Sequence, residues 1–347
     1  MARPLGGGID IGWPAPGILG LRVTSIAAAA CVGASLALSG VLLQALLRNP
    51  LASPFVLGVS SGAALGVAVA LAATLAVGAG AGVEAGFGSE VGEVAGGASG
   101  DAATAAGGGF ADLFAHVAVA LGAGGHVGPA FVGAGAALCA VLLLGRAAGG
   151  SGSGWIDPLA TLLAGVVISS VCGALVLAME HVAPGGLRRG MLAWLTGSID
   201  ELMPAGQLAL CGGAACVGLV VGWAMAGSLD ALSLGEDEAR SVGVAVGPVR
   251  IGLLLVASAC TAVAVAVAGP IAFVGLIAPH AARGLVGARH AWLIPAATLA
   301  GAALLVGADA TAQLIRPGGG RLPVGVFTAL VGGPAFLLLL RRVGRAS

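Results

Sequence analysis

Long apolar runs separated by short polar turns recur along this chain, and the runs are of the length that crosses a bilayer, whose hydrocarbon core takes about 20 residues of helix. Nine such runs can be read, at residues 26–46, 55–77, 128–145, 159–179, 207–226, 251–268, 270–286, 291–308 and 323–340. The seventh is the weakest, with a re-entrant segment as its alternative reading. The pattern predicts an all-α polytopic membrane protein with about nine transmembrane helices. The first interruption, in SGVLLQALLRNPLASPFVLGVSSGA (residues 39–63), holds Arg48, Asn49, Pro50 and Pro54. It reads as a turn in which the prolines end one helix and start the next, because proline cannot continue a helix but is accommodated in its first turn.

Composition sharpens this picture. Of 347 residues, 58% are hydrophobic and only 9% charged, with a mean hydropathy of +1.06; soluble domains carry about 25% charged residues. The 63 glycines suit helices that approach closely in lipid, where small residues let backbones pack. All 15 basic residues are arginine. Without a lysine there is neither a phosphate-loop lysine nor a Schiff-base lysine, so work that needs ATP requires a nucleotide-binding partner. Zero net charge leaves no footprint for nucleic acid. Cys31, Cys139, Cys172, Cys211, Cys216 and Cys260 all lie in apolar runs with no metal-ligand spacing and read as small core residues.

Arginine placement sets the orientation, since positively charged loops stay in the cytoplasm. With the 47–54 turn inside, Arg48, Arg146, Arg240, Arg250, Arg283, Arg289, Arg341, Arg342 and Arg345 face the cytoplasm, against Arg22, Arg188, Arg189, Arg316 and Arg321 outside. Residues 1–25 then start outside as a segment with neither a signal peptide nor a spanning run. Residues 78–127 form a Gly/Ala-rich external loop carrying Glu84, Glu90, Glu93, Asp101 and Asp112; it reads as disordered, with room for a short amphipathic helix over Phe110–Leu121.

Gly58, Val59, Ser60, Ser61 and Gly62 match the GxSxG pattern of a hydrolase nucleophile elbow, which makes an intramembrane serine hydrolase using Ser60 one reading. Gly58, Gly62 and Gly66 also fall at four-residue spacing, as one smooth face for helix packing. His116, His126, His181, His280 and His290 show no paired ligand spacing, so no metal site is read. Ionisable residues stay near the ends of the runs, as Glu180, Arg283 and Asp309 do, whereas ion-coupled transporters place them at mid-membrane. In the largest cytoplasmic loop, SLDALSLGEDEARSVGVAVGPVR (228–250), Ser233 and Glu236 have capping-box spacing and Glu236 precedes Arg240 by one turn. This predicts a short surface helix starting near Leu234. On the outer side, arginines and turn formers combine in APGGLRRGMLAWLTGSIDELMP (183–204) and IRPGGGRLPVG (315–325).

Taken in order, GASLALSGVLLQALLRNPLASPFVLGVSSGAALG, WLTGS, LDALSLGEDEARSVGV, GPIAFVGLIAPHAARGLVG and RLPVGVFTALVGGPAFLLLL resemble the FecCD family of ABC-importer permeases, whose members carry ferric siderophores, haem or cobalamin. The resemblance implies a cobalamin/siderophore-importer permease fold with ten helices. It implies a second permease copy or paralogue, two ABC ATPase subunits inside and a solute-binding protein outside, with no enzyme activity and no cofactor in the chain itself. On this resemblance residues 26–347 are the permease domain, and residues 1–25 lack the family's first helix. The 228–250 loop corresponds to the family's coupling helices, with Leu234, Gly235, Glu236, Ala239 and Arg240 as ATPase contacts. Outer arginines meet the binding protein, and Arg22, Arg188, Arg189, Arg316 and Arg321 are the candidates.

Four outer positions depart from the family pattern. LRVTS leaves Thr24 and Ser25 where proline and arginine are expected, Gln313 stands where arginine is common, and Arg321 stands where an acidic residue is common. The favoured substrate is a ferric siderophore, with cobalamin or haem as alternatives. A metal-ion permease is a further reading that the charge-poor helices disfavour.

Overall fold

The computed structural model describes residues 16–79, 127–148, 158–183, 188, 192, 194–200, 202–315 and 322–343. Its helices in chain order are α1 (Pro16–Leu46), α2 (Val59–Ala79), α3 (Val127–Ala148), α4 (Pro158–Val182), α5 (Ala205–Ala224), α6 (Ala226–Leu234), α7 (Glu236–Ser241), α8 (Val246–Ala268), α9 (Val274–Val286), α10 (His290–Leu314) and α11 (Val324–Val343). Among the described residues there is no strand. Helices α1, α3, α4, α5, α8 and α10 are long and apolar enough to cross a membrane, and shorter apolar stretches lie at Val59–Ala72, Val274–Val286 and Val324–Phe336. Each of the nine runs read from the sequence falls on one of these helices. The first run begins too late, however: α1 already starts at Pro16, so part of the 1–25 segment is helical. Residues 80–126, including Phe110–Leu121, lie outside the described residues.

Helix α1 is the hub. In its most apolar window 78% of residues are buried, against 17% for α4, so α1 is enclosed by protein while α4 keeps an apolar face outward. Around α1 pack α5, α8, α9 and α10; α2, α3 and α4 form a second group that joins through α8. Close backbone approach is what the glycines of α1 provide. A Cβ on Gly33 would collide with the Gly301 carbonyl of α10, and one on Gly40 with the Gly275 carbonyl of α9. Such contact maximises dispersion between helices where lipid gives no hydrophobic drive to associate. Of the cysteines, Cys172, Cys211 and Cys260 are buried, but Cys139 and Cys216 are exposed rather than core.

The 47–54 turn is built differently from the two-proline reading. Arg48 adopts a left-handed conformation (φ 46°), while Asn49 N–H donates to Gln44 O (3.1 Å) and Arg48 N–H to Ala45 O (3.3 Å). These are the two bonds of a Schellman cap, with arginine where glycine is usual. Asn49 Oδ1 then accepts from Leu51 N–H (2.9 Å), and Pro50 follows the cap. Pro54 does not start α2: residues 54–58 form a turn, held by Ser169 Oγ donating to Phe55 O (2.8 Å). Gly58 (φ 77°) ends that turn, so it is not part of a helical glycine stripe. Its need for glycine is conformational. Gly62 and Gly66 do lie on α2 and press on Gly133 and Pro129 of α3.

Candidate functional site

The end of the molecule that the arginine placement reads as inner, beside the 47–54 turn, carries a two-helix element. In α6, Ala226, Leu229 and Leu232 are buried in the same apolar cluster as Leu43 and Leu46 of α1, Leu254 of α8 and Leu293 of α10. The chain then extends through Gly235 and re-enters helix as α7. Ser233 does not form a capping box with Glu236. Its hydroxyl donates back to Asp230 O (2.7 Å) within α6, and α7 starts without a side-chain cap. The short helix read as starting near Leu234 is α7, which starts at Glu236; α6, which precedes it across Gly235, was not read from the sequence. Leu234 is 77% exposed and Val242 70%, and with Asp237 and Arg240 they form an outward apolar and charged surface. Gly235 is buried. Ala239, read as a partner contact, is 0% exposed; its methyl packs inward, so it anchors α7 and does not reach a partner.

Ion pairs fasten this element to the spans. Glu236 Oε2 accepts from Arg240 Nη2 (3.0 Å) one turn on, and Asp237 Oδ1 from Arg240 Nη1 (2.9 Å). Glu236 Oε1 accepts from Arg250 Nη1 (2.8 Å), and the Arg250 side chain is only 4% exposed. A buried guanidinium needs such a partner, because an uncompensated charge out of water is costly. On the other limb, Asp230 Oδ1 accepts the backbone N–H of His290 (2.9 Å) and lies 2.6 Å from its ring Nδ1. His290 is the first residue of α10, where backbone N–H groups have no partner within the helix. Asp230 thus caps α10 from another helix and suits its dipole. Trp223 Nε1 adds a bond to Ala291 O (3.1 Å). The sequence reading missed Asp230 and His290, and used Arg250 only as a topogenic charge, because nothing local links residues 60 and 14 positions apart.

Three of the quoted motifs meet at the depth of the middle of α1. Ser198 N–H donates to Ala268 O (2.9 Å) and Gly325 N–H to Gly197 O (3.0 Å), joining WLTGS, GPIAFVG and RLPVG. Gly197 (φ 72°) and Gly269 (φ 70°) take left-handed backbone here, and a Cβ on Gly269 would strike the Trp194 carbonyl. Ala268, Ile271 and Val274 pack with Ala28, Val32 and Leu36 of α1. Non-helical backbone at this depth is satisfied because protein encloses it. Helix α9 starts from this junction. Its 13 residues span about 20 Å at 1.5 Å per residue, short of a full crossing, which accounts for the weakness of the seventh run.

At the outer end of α1 and α10, Gln313 bridges two groups: its Oε1 accepts from Arg22 Nη1 (3.0 Å) and its Nε2 donates to Asp309 Oδ2 (2.7 Å). Ser25 Oγ donates to the same Asp309 oxygen (3.2 Å). Asp309 is 2% exposed, whereas Arg22 is exposed. Two of the departures noted in the sequence, Ser25 and Gln313, therefore share one buried carboxylate. Arg188 lies 3.7 Å from Glu180; Arg189, Arg316 and Arg321 are outside the described residues. Ser60 Oγ is buried without a hydrogen-bond partner, and no strand leads into it, so the hydrolase elbow is not formed. Among the described residues no three His, Cys, Asp or Glu side chains come together as a metal site.

These features define a multi-pass helical membrane protein with a small helical element fastened to one end of its spans. Residues 15–97 and 102–342 match the FecCD transport family, and the chain belongs to it. It is similar to the hemin transport system permease protein of Yersinia pestis, with 39% identity over 187 residues (52% of this chain and 54% of that protein). The cobalamin import system permease protein of Halobacterium salinarum is 39% identical over 193 residues (53% and 49%). The chain spans about half the length of the curated relatives it matches. Among solved structures it resembles an inward-facing metal-chelate type ABC transporter, with 28% identity, a TM-score of 0.69, and coverage of 93% of this chain and 88% of that one.

Proposed function

We propose that this chain is the membrane-spanning permease subunit of an ABC importer, with ferric siderophores as its substrates. The observation that carries the reading is the α6–α7 element: an outward surface of Leu234, Asp237 and Arg240 over a base locked to α8 and α10. A rigid surface element of this kind fits the groove of an ATPase subunit and passes on its two-state motion. Leu234 and Arg240 make the contact, Glu236 orients Arg240, and Gly235 and Ala239 set the shape. ATP hydrolysis belongs to the partner, since the chain has no lysine for a phosphate loop. A second copy or a paralogue completes the path. A solute-binding protein docks outside on Arg22, Arg188, Arg189, Arg316 and Arg321.

The substrate reading rests on the relatives: permease proteins for hemin, ferric dicitrate and cobalamin. Uptake of labelled ferric siderophores, haem and cobalamin by iron-limited cells with and without the gene tests it. Loss of a ferric siderophore alone is expected; loss of haem or cobalamin instead would reassign the substrate, and unchanged uptake of all three classes contradicts the importer. In the same cells, replacing Glu236 and Arg240 together by alanine is expected to abolish uptake and ATPase co-purification.

A further inference from the structure

The α6–α7 element is tied to the membrane spans at two separated points, and the ties differ from the surface pairs around them. One runs from Glu236 at the start of α7 to Arg250 on the first turns of α8, at 2.8 Å with the arginine side chain 4% exposed. The other runs from Asp230 in α6 to the backbone and ring of His290, the first residue of α10, whose side chain is 5% exposed. Each tie joins a carboxylate on the element, 17% exposed at Glu236 and 37% at Asp230, to a buried group at the base of a span. Both spans pack directly on α1, through Thr261 Oγ1 to Ser39 Oγ (2.8 Å) for α8 and through the Gly33–Gly301 approach for α10. The intervening backbone is short: residues 242–245 link α7 to α8, and Gly287 (φ 83°), Ala288 and Arg289 link α9 to α10.

We infer that Arg250 and Asp230 are positioning residues that carry the motion of a docked ATPase separately into α8 and α10. Resting on the importer reading, this assigns the two residues no part in the docking surface. Force on α7 reaches α8 through a charge-assisted bond that holds its direction, since both ends are fixed by packing: Ala239 beneath α7 and Leu253 and Leu254 beyond Arg250 are buried in one cluster. Force on α6 reaches α10 at its first backbone N–H, so the helix moves as a rod from its end. Arg240, 52% exposed, pairs with Glu236 and Asp237 within α7 and transmits to neither span. Losing a tie therefore leaves docking intact and decouples one span.

The test uses the complex with its ATPase subunits in nanodiscs, with ATP and vanadate as the probe and hydrogen–deuterium exchange as the readout. In the wild-type complex, ATP–vanadate is expected to change exchange at 226–241, at 246–252 and at 290–295. Arg250→Met should keep ATPase co-purification and the change at 226–241 while reducing that at 246–252 at least threefold. Asp230→Ala should do the same at 290–295. Arg250→Lys, which keeps a charged donor, should restore most of the α8 response, a rescue that a packing role alone would not give. If the variants bind ATPase and both spans respond as in wild type, or if Arg250→Lys behaves as Arg250→Met, the positioning role is overturned. Should wild type itself bind no ATPase, the importer reading falls first and this inference with it.

Discussion

The inner and outer ends of the molecule solve the same problem, a few polar groups on an apolar body, in opposite ways. Inside, carboxylates at the edge of the protein reach buried cationic or backbone groups, so that a surface element is fixed to two spans. Outside, the carboxylate is the buried member: Asp309 is enclosed and collects Ser25 and Gln313, which passes one bond on to exposed Arg22. The difference teaches which end is rigid. A buried charged donor is costly to detach from its carboxylate, whereas exposed Arg22 exchanges Gln313 for water at little cost. Under the importer reading proposed for this chain, the inner end transmits displacement and the outer arginine meets an acidic surface.

Substitutions that unbalance the two ends should rank accordingly. Arg250→Ala is expected to cost most, about 2 kcal/mol, because Glu236 loses a charge-assisted bond and keeps only the exposed Arg240; thermal unfolding in detergent reads this as a lowered midpoint. Asp309→Ala should follow at about 1.5 kcal/mol, since Gln313 and Ser25 lose a shared buried acceptor. A double substitution with Arg22→Ala should add almost nothing further by the same measurement. Arg48→Gly has the opposite sign: relieving a non-glycine residue at φ 46° should raise stability by about 1 kcal/mol. Arg240→Ala is the smallest, about 0.4 kcal/mol, as its pairs within one exposed turn are screened by solvent. A larger loss for Arg240→Ala than for Arg250→Ala would reverse the comparison.

Much of the architecture was legible because lipid leaves few alternatives to the apolar helix. Runs such as 251–268 and 291–308 could be read from length and polarity alone, and the Glu236–Arg240 pair followed from helical spacing. What depends on residues far apart in sequence was not legible. Nothing near Asp230 announces that it caps a helix 60 residues on, and nothing near Ser25 announces Gln313. Local rules also failed where the backbone departs from regular helix. Gly58 fits a four-residue glycine stripe but serves a turn, Pro54 resembles a helix start but lies five residues before one, and Ser233 satisfies a capping pattern whose helix breaks at Gly235. In each case the residues match a local pattern, and a tertiary contact gives them another use: α4 holds residues 54–58 and α8 claims Glu236.

Site-specific photocrosslinking in cells tests the central claim most directly, with the photoreactive residue placed in turn at Leu234, at Val242 and, on the outward face of α10, at Leu299. Crosslinks to an ATPase subunit from positions 234 and 242 but not from 299 are predicted. An ATPase that crosslinks to neither 234 nor 242 would contradict the assignment of α6 and α7 as the docking element of an ABC importer.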